Sequence, residues 1–202
     1  MTACFSFFIG MYVHAQDKNS LCLHYNFEGV KGTSVPDASG SGATATLKNQ
    51  AQVVEMGKYH VLDLGNGSGY LDMGQAAGEI FRQNNAYTIS MYYRVNDAAS
   101  LSGAGFFLWN FSTSASCDAT NGKYSAYRLN AQRIANSTGG FNNETGAETG
   151  SPSQKGKWIH VLYRQNNTTG ALYINGTLAA SLTSTTANTT NFTTSVPYAW
   201  IG

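Results

Sequence analysis

Acidic side chains are the residues with which this 202-residue chain could perform catalysis. Glycoside hydrolysis with retention needs two carboxyl groups about 5–5.5 Å apart, and two acids at i and i+2 of a strand would share one face. The eleven acids include no such pair on a predicted strand. Asp63 and Asp72 could approach each other across a hairpin, but both lie beside turns, where Asp commonly caps the backbone. We predict turn capping for both and no catalysis.

Aromatic side chains beside cations form a second type of candidate site. Sugar rings stack on exposed aromatic faces and accept hydrogen bonds from flanking polar side chains. Tyr92 and Arg94 alternate with Ile89, Met91 and Tyr93 along one predicted strand, so they point away from the core that the apolar set faces. Tyr92 and Arg94 are therefore the predicted carbohydrate-binding residues.

Other strand aromatics give weaker signals for a sugar site. Trp109 is in phase with Phe107 and Phe111, which favours burial. Tyr127 and Arg128 are adjacent in the chain, so they point to opposite faces and cannot line one groove together. None of these residues is assigned to the site.

Trp158 and His160 lie on a strand where they alternate with Ile159, Val161 and Tyr163. His160 could be a catalytic histidine, but the sequence offers no nucleophile to partner it. We predict that Trp158 and His160 pack against a neighbouring sheet layer.

Calcium is the metal ion that the sequence predicts. It prefers hard oxygens from carboxylates and backbone carbonyls, which Gly/Ser-rich loops often supply. Glu28 ends the first predicted strand, and Asp37 lies in the loop GTSVPDASGSG at 32–42. We predict a structural calcium at Glu28 and Asp37; the alternative is a solvated Glu28 and a turn-capping Asp37. A zinc site is not supported, because no CxxC or HxxxH pattern occurs.

The composition is that of an exported β-rich protein. Charged residues make up 11% of the chain, against about 25% in an average soluble protein. No block of Lys and Arg occurs, so nucleic-acid binding is not predicted. Residues 1–15 resemble a signal peptide with a short apolar stretch from Phe5 to Val13; the alternative is a buried N-terminal strand. Secretion, or a periplasmic or cell-surface location, follows, and no later segment is apolar enough to span a membrane.

Three cysteines, Cys4, Cys22 and Cys117, give no strong constraint. If Cys4 is removed with the signal peptide, Cys22 and Cys117 could pair in an oxidising compartment. Nothing in their spacing requires a disulfide, and we expect two thiols buried as small hydrophobic groups.

The elements that must position these residues are predominantly strands. Hydrophobicity alternates with period two, and Gly, Asn and Ser turns separate the segments, as in a sandwich or jelly roll. One short helix is predicted at Gln75–Phe81, and Ala135–Lys157 is predicted to be an irregular surface excursion. The predicted strands are Leu21–Phe27, Lys58–Leu64, Gly69–Met73, Tyr87–Val95, Gly103–Phe111, Lys123–Asn130, Trp158–Arg164, Ala171–Asn175, Leu178–Leu182 and Val196–Gly202.

Six segments in one order carry a family resemblance. They are HYNFEG, DASGSG, LDLGNGSGYLDMG, AYTISMYYRV, GKWIHVLYR and LYINGTLAAS. In this order they resemble the concanavalin-A-like, laminin-G-like jelly rolls of bacterial secreted proteins of the Bacteroides type. The resemblance covers residues 21–202 and implies one all-β domain, a two-sheet antiparallel jelly-roll sandwich. Family members continue with further strands, so we expect this domain to be incomplete at its C-terminus.

The resemblance also implies a function. Such modules often accompany glycoside hydrolase domains, so we expect a non-catalytic accessory module of a secreted polysaccharide-degrading protein. It would bind a polysaccharide or brace an adjacent catalytic domain of the same polypeptide. The alternative is an adhesion or protein-interaction module, and a glycosidase activity of the domain itself is the weakest reading. A shared fold does not settle function, so the site must decide.

Overall fold

A computed structural model of the chain describes residues 20–65, 67–101, 106–115, 118–183, 192, 196 and 198–202. The predicted signal peptide, residues 1–15, lies outside the described residues. So do Cys4 and Cys117, whereas Cys22 is described as a free, exposed thiol, which corrects the expectation that it is buried. No helix among the described residues has the length and apolar character needed to cross a membrane.

Strands dominate the described residues. One α-helix, α1 (Gly74–Arg82), and a short 3-10 helix (Phe141–Asn143) are the helical elements among them. The strands are β1 Ser34–Val35, β2 Ala45–Lys48, β3 Gln52–Met56, β4 Tyr59–Asp63, β5 Tyr70–Asp72, β6 Ala86–Arg94, β7 Phe107–Ser112, β8 Tyr124–Arg128, β9 Arg133–Ser137, β10 Glu144–Glu148, β11 Trp158–Asn166, β12 Thr169–Ile174, β13 Thr177–Leu182 and β14 Tyr198–Ile201.

Two antiparallel sheets form a jelly-roll sandwich, as predicted. The large sheet has the order β1-β2-β5-β14-β7-β8-β9-β10, and the small sheet has the order β13-β12-β11-β6. A separate hairpin consists of β3 and β4. Within the small sheet, β6 and β11 pair over nine residues, from Ala86↔Asn166 to Arg94↔Trp158.

The core lies between the two sheets. Strand β11 contributes Ile159, Val161 and Tyr163, all buried. The large sheet contributes Trp109 and Tyr127, whose rings stack with centroids 5.0 Å apart. Burying each such side chain stabilises the fold by about 1.5–3 kcal/mol relative to exposure. The predicted burial of Trp109 is confirmed, and so are the opposite orientations of Tyr127 and Arg128.

The helix prediction is confirmed, because α1 includes the whole of Gln75–Phe81. Its Phe81 ring stacks on Phe111 of β7 with centroids 4.1 Å apart, which fixes the helix to the large sheet. Exposed and half-buried residues alternate along the predicted first strand, Leu21–Phe27, but it forms no strand ladder. Instead the N–H of His24 donates to Asp37 Oδ1 (2.8 Å), and its carbonyl accepts from Ala38 (2.7 Å).

The prediction of an irregular excursion at Ala135–Lys157 is wrong in part. Most of β9 and all of β10 fall in this range and pair with each other over five residues. Their outward-facing positions carry small residues such as Ala135 and Gly146, so the hydrophobic alternation that marks a strand is absent. The predicted strands likewise do not include β1, β2 and β3.

Candidate functional site

The outer face of the small sheet carries the predicted sugar-binding residues. Tyr92 is 69% exposed and Arg94 is also exposed, which places both on the side away from the core. Trp158 and His160 point to the same side, since their neighbours on β11 point inward. The expectation that these two pack against another sheet layer is therefore wrong, because Ile159, Val161 and Tyr163 fill the core instead. We call Tyr92, Arg94, Trp158 and His160 the aromatic surface.

Strand pairing holds the aromatic surface together. Tyr92 is directly opposite His160, and Arg94 is directly opposite Trp158. The Tyr92 and His160 rings stack with centroids 4.6 Å apart and an interplanar angle of 27°. His160 Nε2 lies 2.8 Å from Ser90 Oγ, and this contact together with the stacking on Tyr92 orients the imidazole. The backbone N–H of His160 donates to Asn175 Oδ1 (2.9 Å).

The aromatic surface offers two ring faces and a cation on a rigid support. Trp158 is 45% exposed, so both it and Tyr92 have ring area free for contact. Aromatic faces attract the C–H edges of sugar rings, and the Arg94 guanidinium supplies hydrogen-bond donors for hydroxyl groups. The sequence predicted Tyr92 and Arg94 as binding residues, and the structure places Trp158 and His160 on the same surface.

The outer face of the large sheet holds an ion-pair network that the sequence did not indicate. The Glu144 side chain is only 7% exposed and accepts hydrogen bonds from Tyr124 Oη (2.6 Å), Arg128 Nη2 (2.7 Å) and Arg133 Nε (3.0 Å). Arg133 also contacts Glu148, at 3.2 Å. The four charges balance, and the guanidinium groups lie across the small residues of β9 and β10.

Next to this network lies a row of residues that are paired directly opposite one another on neighbouring strands. Strand pairing aligns Asp72, Trp200, Asn110, Ala126, Ala135 and Gly146 across the large sheet. Trp200 also meets the rings of Tyr198 and Tyr70, at centroid distances of 5.7 and 6.4 Å. The alternation of Trp200 with Ala199 and Ile201 could have indicated an outward-facing tryptophan.

The carboxylates considered for catalysis have structural roles. Asp63 Oδ1 accepts from the Gly65 N–H (2.9 Å), and Asp72 Oδ1 accepts from the Gly74 N–H (3.0 Å). The predicted turn capping is confirmed for both.

Glu28 and Asp37, the predicted calcium ligands, both have protein partners. Asp37 accepts hydrogen bonds from the N–H of His24 and from the N–H and hydroxyl groups of Ser39 and Ser41. Partial burial would raise the pKa of Asp37, but these hydrogen bonds together lower it to about 2. Glu28 Oε1 lies 2.8 Å from His60 Nδ1.

Metal binding would require these hydrogen bonds of Asp37 to open. No group of three or more His, Cys, Asp or Glu side chains within the described ranges is arranged to hold a metal ion. Calcium at Glu28 and Asp37 therefore stays a prediction.

A family model described as the concanavalin A-like lectin/glucanases superfamily matches residues 65–202. The chain belongs to this superfamily. No curated protein sequence matches the chain. The superfamily includes both lectin-type and glucanase-type members, so membership gives a lectin/glucanase-like sandwich without deciding between binding and catalysis.

Solved structures of similar fold include domains of larger proteins. Domain 4 of AbnA, an extracellular GH43 arabinanase from Geobacillus stearothermophilus solved with arabinotriose, has a TM-score of 0.67 at 13% identity; the match covers 90% of this chain and 82% of that one. The binding domain of Paraclostridial Mosquitocidal Protein 1 gives 0.60 at 15% identity, covering 91% and 44%. A structure of botulinum neurotoxin type C, whose cell entry depends on interaction with two ganglioside molecules, has a TM-score of 0.56 at 13% identity. The match covers 91% of this chain and 43% of that one. At sequence identities of 13–15%, these similarities show a shared fold and nothing more.

Proposed function

We propose that this chain is a non-catalytic carbohydrate-binding module and that it binds glycans on the aromatic surface. One observation carries the proposal: Tyr92 and Trp158 expose ring area at diagonal positions of adjacent strands, and Arg94 lies directly opposite Trp158. Exposed aromatic rings flanked by polar groups are what a sugar chain needs for stacking and orientation. The fold similarity to domain 4 of an arabinanase solved with arabinotriose supports a plant-type glycan as ligand.

The arrangement of acids supports a binding role rather than a catalytic one. Glu144 and Glu148 share a face of β10, but the Glu144 carboxylate is only 7% exposed and already accepts hydrogen bonds from Tyr124 and Arg128. Both are also bound by Arg133. Asp63 and Asp72 cap turns.

The module would work as part of a larger exported protein. Residues 1–15 support export, and the similarity to one domain of an extracellular arabinanase supports an accessory role beside a polysaccharide-degrading domain. Binding would hold the catalytic domain close to its insoluble or polymeric substrate, which raises the local substrate concentration.

Isothermal titration calorimetry with arabinotriose and a panel of other neutral trisaccharides tests the proposal. Replacing Trp158 or Tyr92 by Ala removes one stacking surface, and we expect at least tenfold weaker binding, about 1.4 kcal/mol. Tyr59→Ala is the matched control, because Tyr59 is 62% exposed but lies on the separate β3–β4 hairpin. Equal affinity of the Trp158, Tyr92 and Tyr59 variants would remove the aromatic surface from the site.

Protein docking is a second candidate function, favoured by the extent of apolar exposure on the same face. Leu178 of β13 is 54% exposed and continues the aromatic surface across the small sheet through its neighbour Tyr173. Such a face could brace a neighbouring domain or serve adhesion. If no glycan binds, while Trp158→Ala and Leu178→Ser lower the melting temperature of the full-length protein far more than that of this domain, docking is the function.

A further inference from the structure

The outer face of the large sheet carries two buried polar atoms, Asn110 Oδ1 and Arg128 Nε, that its ion-pair network leaves unsatisfied. Asn110 of β7 is only 7% exposed, and its Oδ1 receives no hydrogen bond within the part of the chain that the structure describes. Nε of Arg128 is also buried and without a partner among these residues, although Nη2 of the same guanidinium donates to Glu144. Leaving a buried donor or acceptor unpaired costs about 1–3 kcal/mol. Two such groups on one face therefore suggest a ligand.

Asn110 and Arg128 lie at diagonal positions of the neighbouring strands β7 and β8, and the Arg128 guanidinium lies 5.5 Å from the Phe107 ring centroid. Asn110 is directly opposite Ala126, and Arg128 follows two residues later on the same face of β8. Diagonal neighbours of this kind lie about 7–8 Å apart at the backbone, within reach of long side chains. On the other side, Asn110 is directly opposite Trp200 of β14. We call Asn110, Arg128 and Trp200 the amide site.

The chemistry of the amide site fits a neutral polyol. Asn110 offers an acceptor and Arg128 Nε a donor, and two neighbouring hydroxyl groups of a sugar can satisfy both at once. The Trp200 ring, supported by Tyr198 and Tyr70, supplies a face for the sugar ring. An anion is disfavoured, because the charges of Arg128 and Arg133 are already matched by Glu144 and Glu148.

We propose that the amide site is a second sugar-binding site, which takes a neutral sugar residue with two adjacent hydroxyl groups. It lies on the opposite outer face of the sandwich from the aromatic surface, so one module would contact two glycan segments. This inference does not depend on binding at the aromatic surface.

The three tryptophans of the chain allow the two sites to be tested in one experiment. Trp200 reports on the amide site, Trp158 on the aromatic surface, and buried Trp109 on the core. The protein would be labelled with 5-fluorotryptophan, its three 19F signals assigned with Trp158→Phe and Trp200→Phe, and the panel of neutral trisaccharides including arabinotriose titrated in. We expect a saturable shift of the Trp200 signal.

Two variants separate a ligand role of the amide site from a structural one. Asn110→Leu keeps the number and branching of the side-chain heavy atoms and removes an unsatisfied polar group, so we expect an unchanged or higher melting temperature together with loss of the Trp200 response. Arg128→Lys keeps a positive charge beside Glu144 but removes the Nε–H, and we expect at least fivefold weaker binding at this site. The Trp158 response should be unchanged in both.

The possible outcomes distinguish this inference from the proposed function. A Trp200 shift that Asn110→Leu abolishes supports the amide site, whether or not Trp158 responds. A response of Trp158 alone overturns the amide site and leaves the proposed function standing. A Trp200 shift that persists in both Asn110→Leu and Arg128→Lys also overturns it, as does the absence of any Trp200 shift across the panel at millimolar concentration.

Discussion

The outer faces of the two sheets differ in how their aromatic and charged side chains are exposed and paired. On the small sheet, Tyr92 and Trp158 remain exposed, and Arg94 has no ion-pair partner among the described residues. On the large sheet, Arg128 and Arg133 are tied to Glu144, and much of the surrounding face is buried. Polar groups that bind each other stabilise a sheet, whereas exposed rings and unpaired cations are available to a ligand.

Glycine makes the closed face possible. A Cβ at Gly146 would lie 2.5 Å from the backbone oxygen of Ile134 and 2.5 Å from Arg133 Cζ, so glycine leaves room here for both the β9 backbone and the guanidinium. The charged side chains then cover the small residues of β8 and β9. On this face the amide site lies at the end of the ion-pair network, where Asn110 Oδ1 and Arg128 Nε have no hydrogen-bond partner among the described residues.

Replacing Glu144 by Ala should produce the largest stability loss and tests whether the large-sheet network is structural. It would leave two partly buried guanidinium groups without their carboxylate, and we expect a loss of about 3 kcal/mol in the free energy of unfolding. Urea denaturation measures it. Glu148→Ala is the control, because its side chain is 46% exposed and it should cost less than about 1 kcal/mol. Similar small losses in both variants would mean that the network is solvated and that the two faces do not differ.

Asp37 provides a reference carboxylate that is held by neutral donors rather than guanidinium groups. Asp37→Asn should cost about 1–2 kcal/mol, less than Glu144→Ala, because an amide nitrogen would face the donors of Ser39 and Ser41. The folded-state pKa of Asp37, about 2, lies below its ordinary 3.8, so its stabilising effect is present above pH 3.8 and is lost as the pH falls through about 2. Thermal melts from neutral to acidic pH should show this loss in the wild type only.

Melting with and without calcium tests the metal prediction at the same loop. An increase in melting temperature with calcium chloride over EDTA that disappears in Glu28→Ala would support calcium at Glu28 and Asp37. Melting curves that coincide with and without calcium would remove it, and Asp37 would then be a turn anchor alone.

His60 should give a smaller effect, since its ion pair with Glu28 is exposed. The hydrogen bond that the His60 imidazole donates to Glu28 raises the pKa of His60 above its ordinary 6.5, with further contributions from the charges of Glu28 and Glu55. The stabilisation is therefore complete below pH 6.5 and is lost as the pH rises through the raised pKa. We expect the wild-type melting temperature to fall slightly across this range and His60→Gln to lack that fall. The same slope in His60→Gln would assign it to another group.

The aromatic surface should show the smallest stability effect of all. Trp158→Ala and Tyr92→Ala remove largely exposed rings, so the free energy of unfolding should change by less than about 0.5 kcal/mol while glycan binding weakens. Chemical denaturation of the variants used for calorimetry provides this measurement. A loss of about 2 kcal/mol or more in either variant would show that these rings support the fold, and the contrast between the two faces would fail.

Alternation along single strands was enough to predict much of the fold. The patterns of β6 and β11 placed Ile89 and Val161 inward and Tyr92 outward, as the structure has them. The same pattern puts Trp158 and His160 on the face opposite Ile159, Val161 and Tyr163, but a single strand cannot tell whether another layer packs on that face. For β9 and β10 the pattern failed, because small residues on their outer face hide the period of two.

The sequence by itself determined the strands whose two faces differ in hydrophobicity, the turn-capping aspartates and, through six ordered segments, the superfamily. Only the tertiary structure decided which outward-facing residues meet. Trp200, Asn110 and Arg128 come from three strands separated by up to ninety residues, and their neighbouring positions depend on strand order and register. A one-residue change of register would turn each side chain to the other face, so no local pattern encodes this neighbourhood.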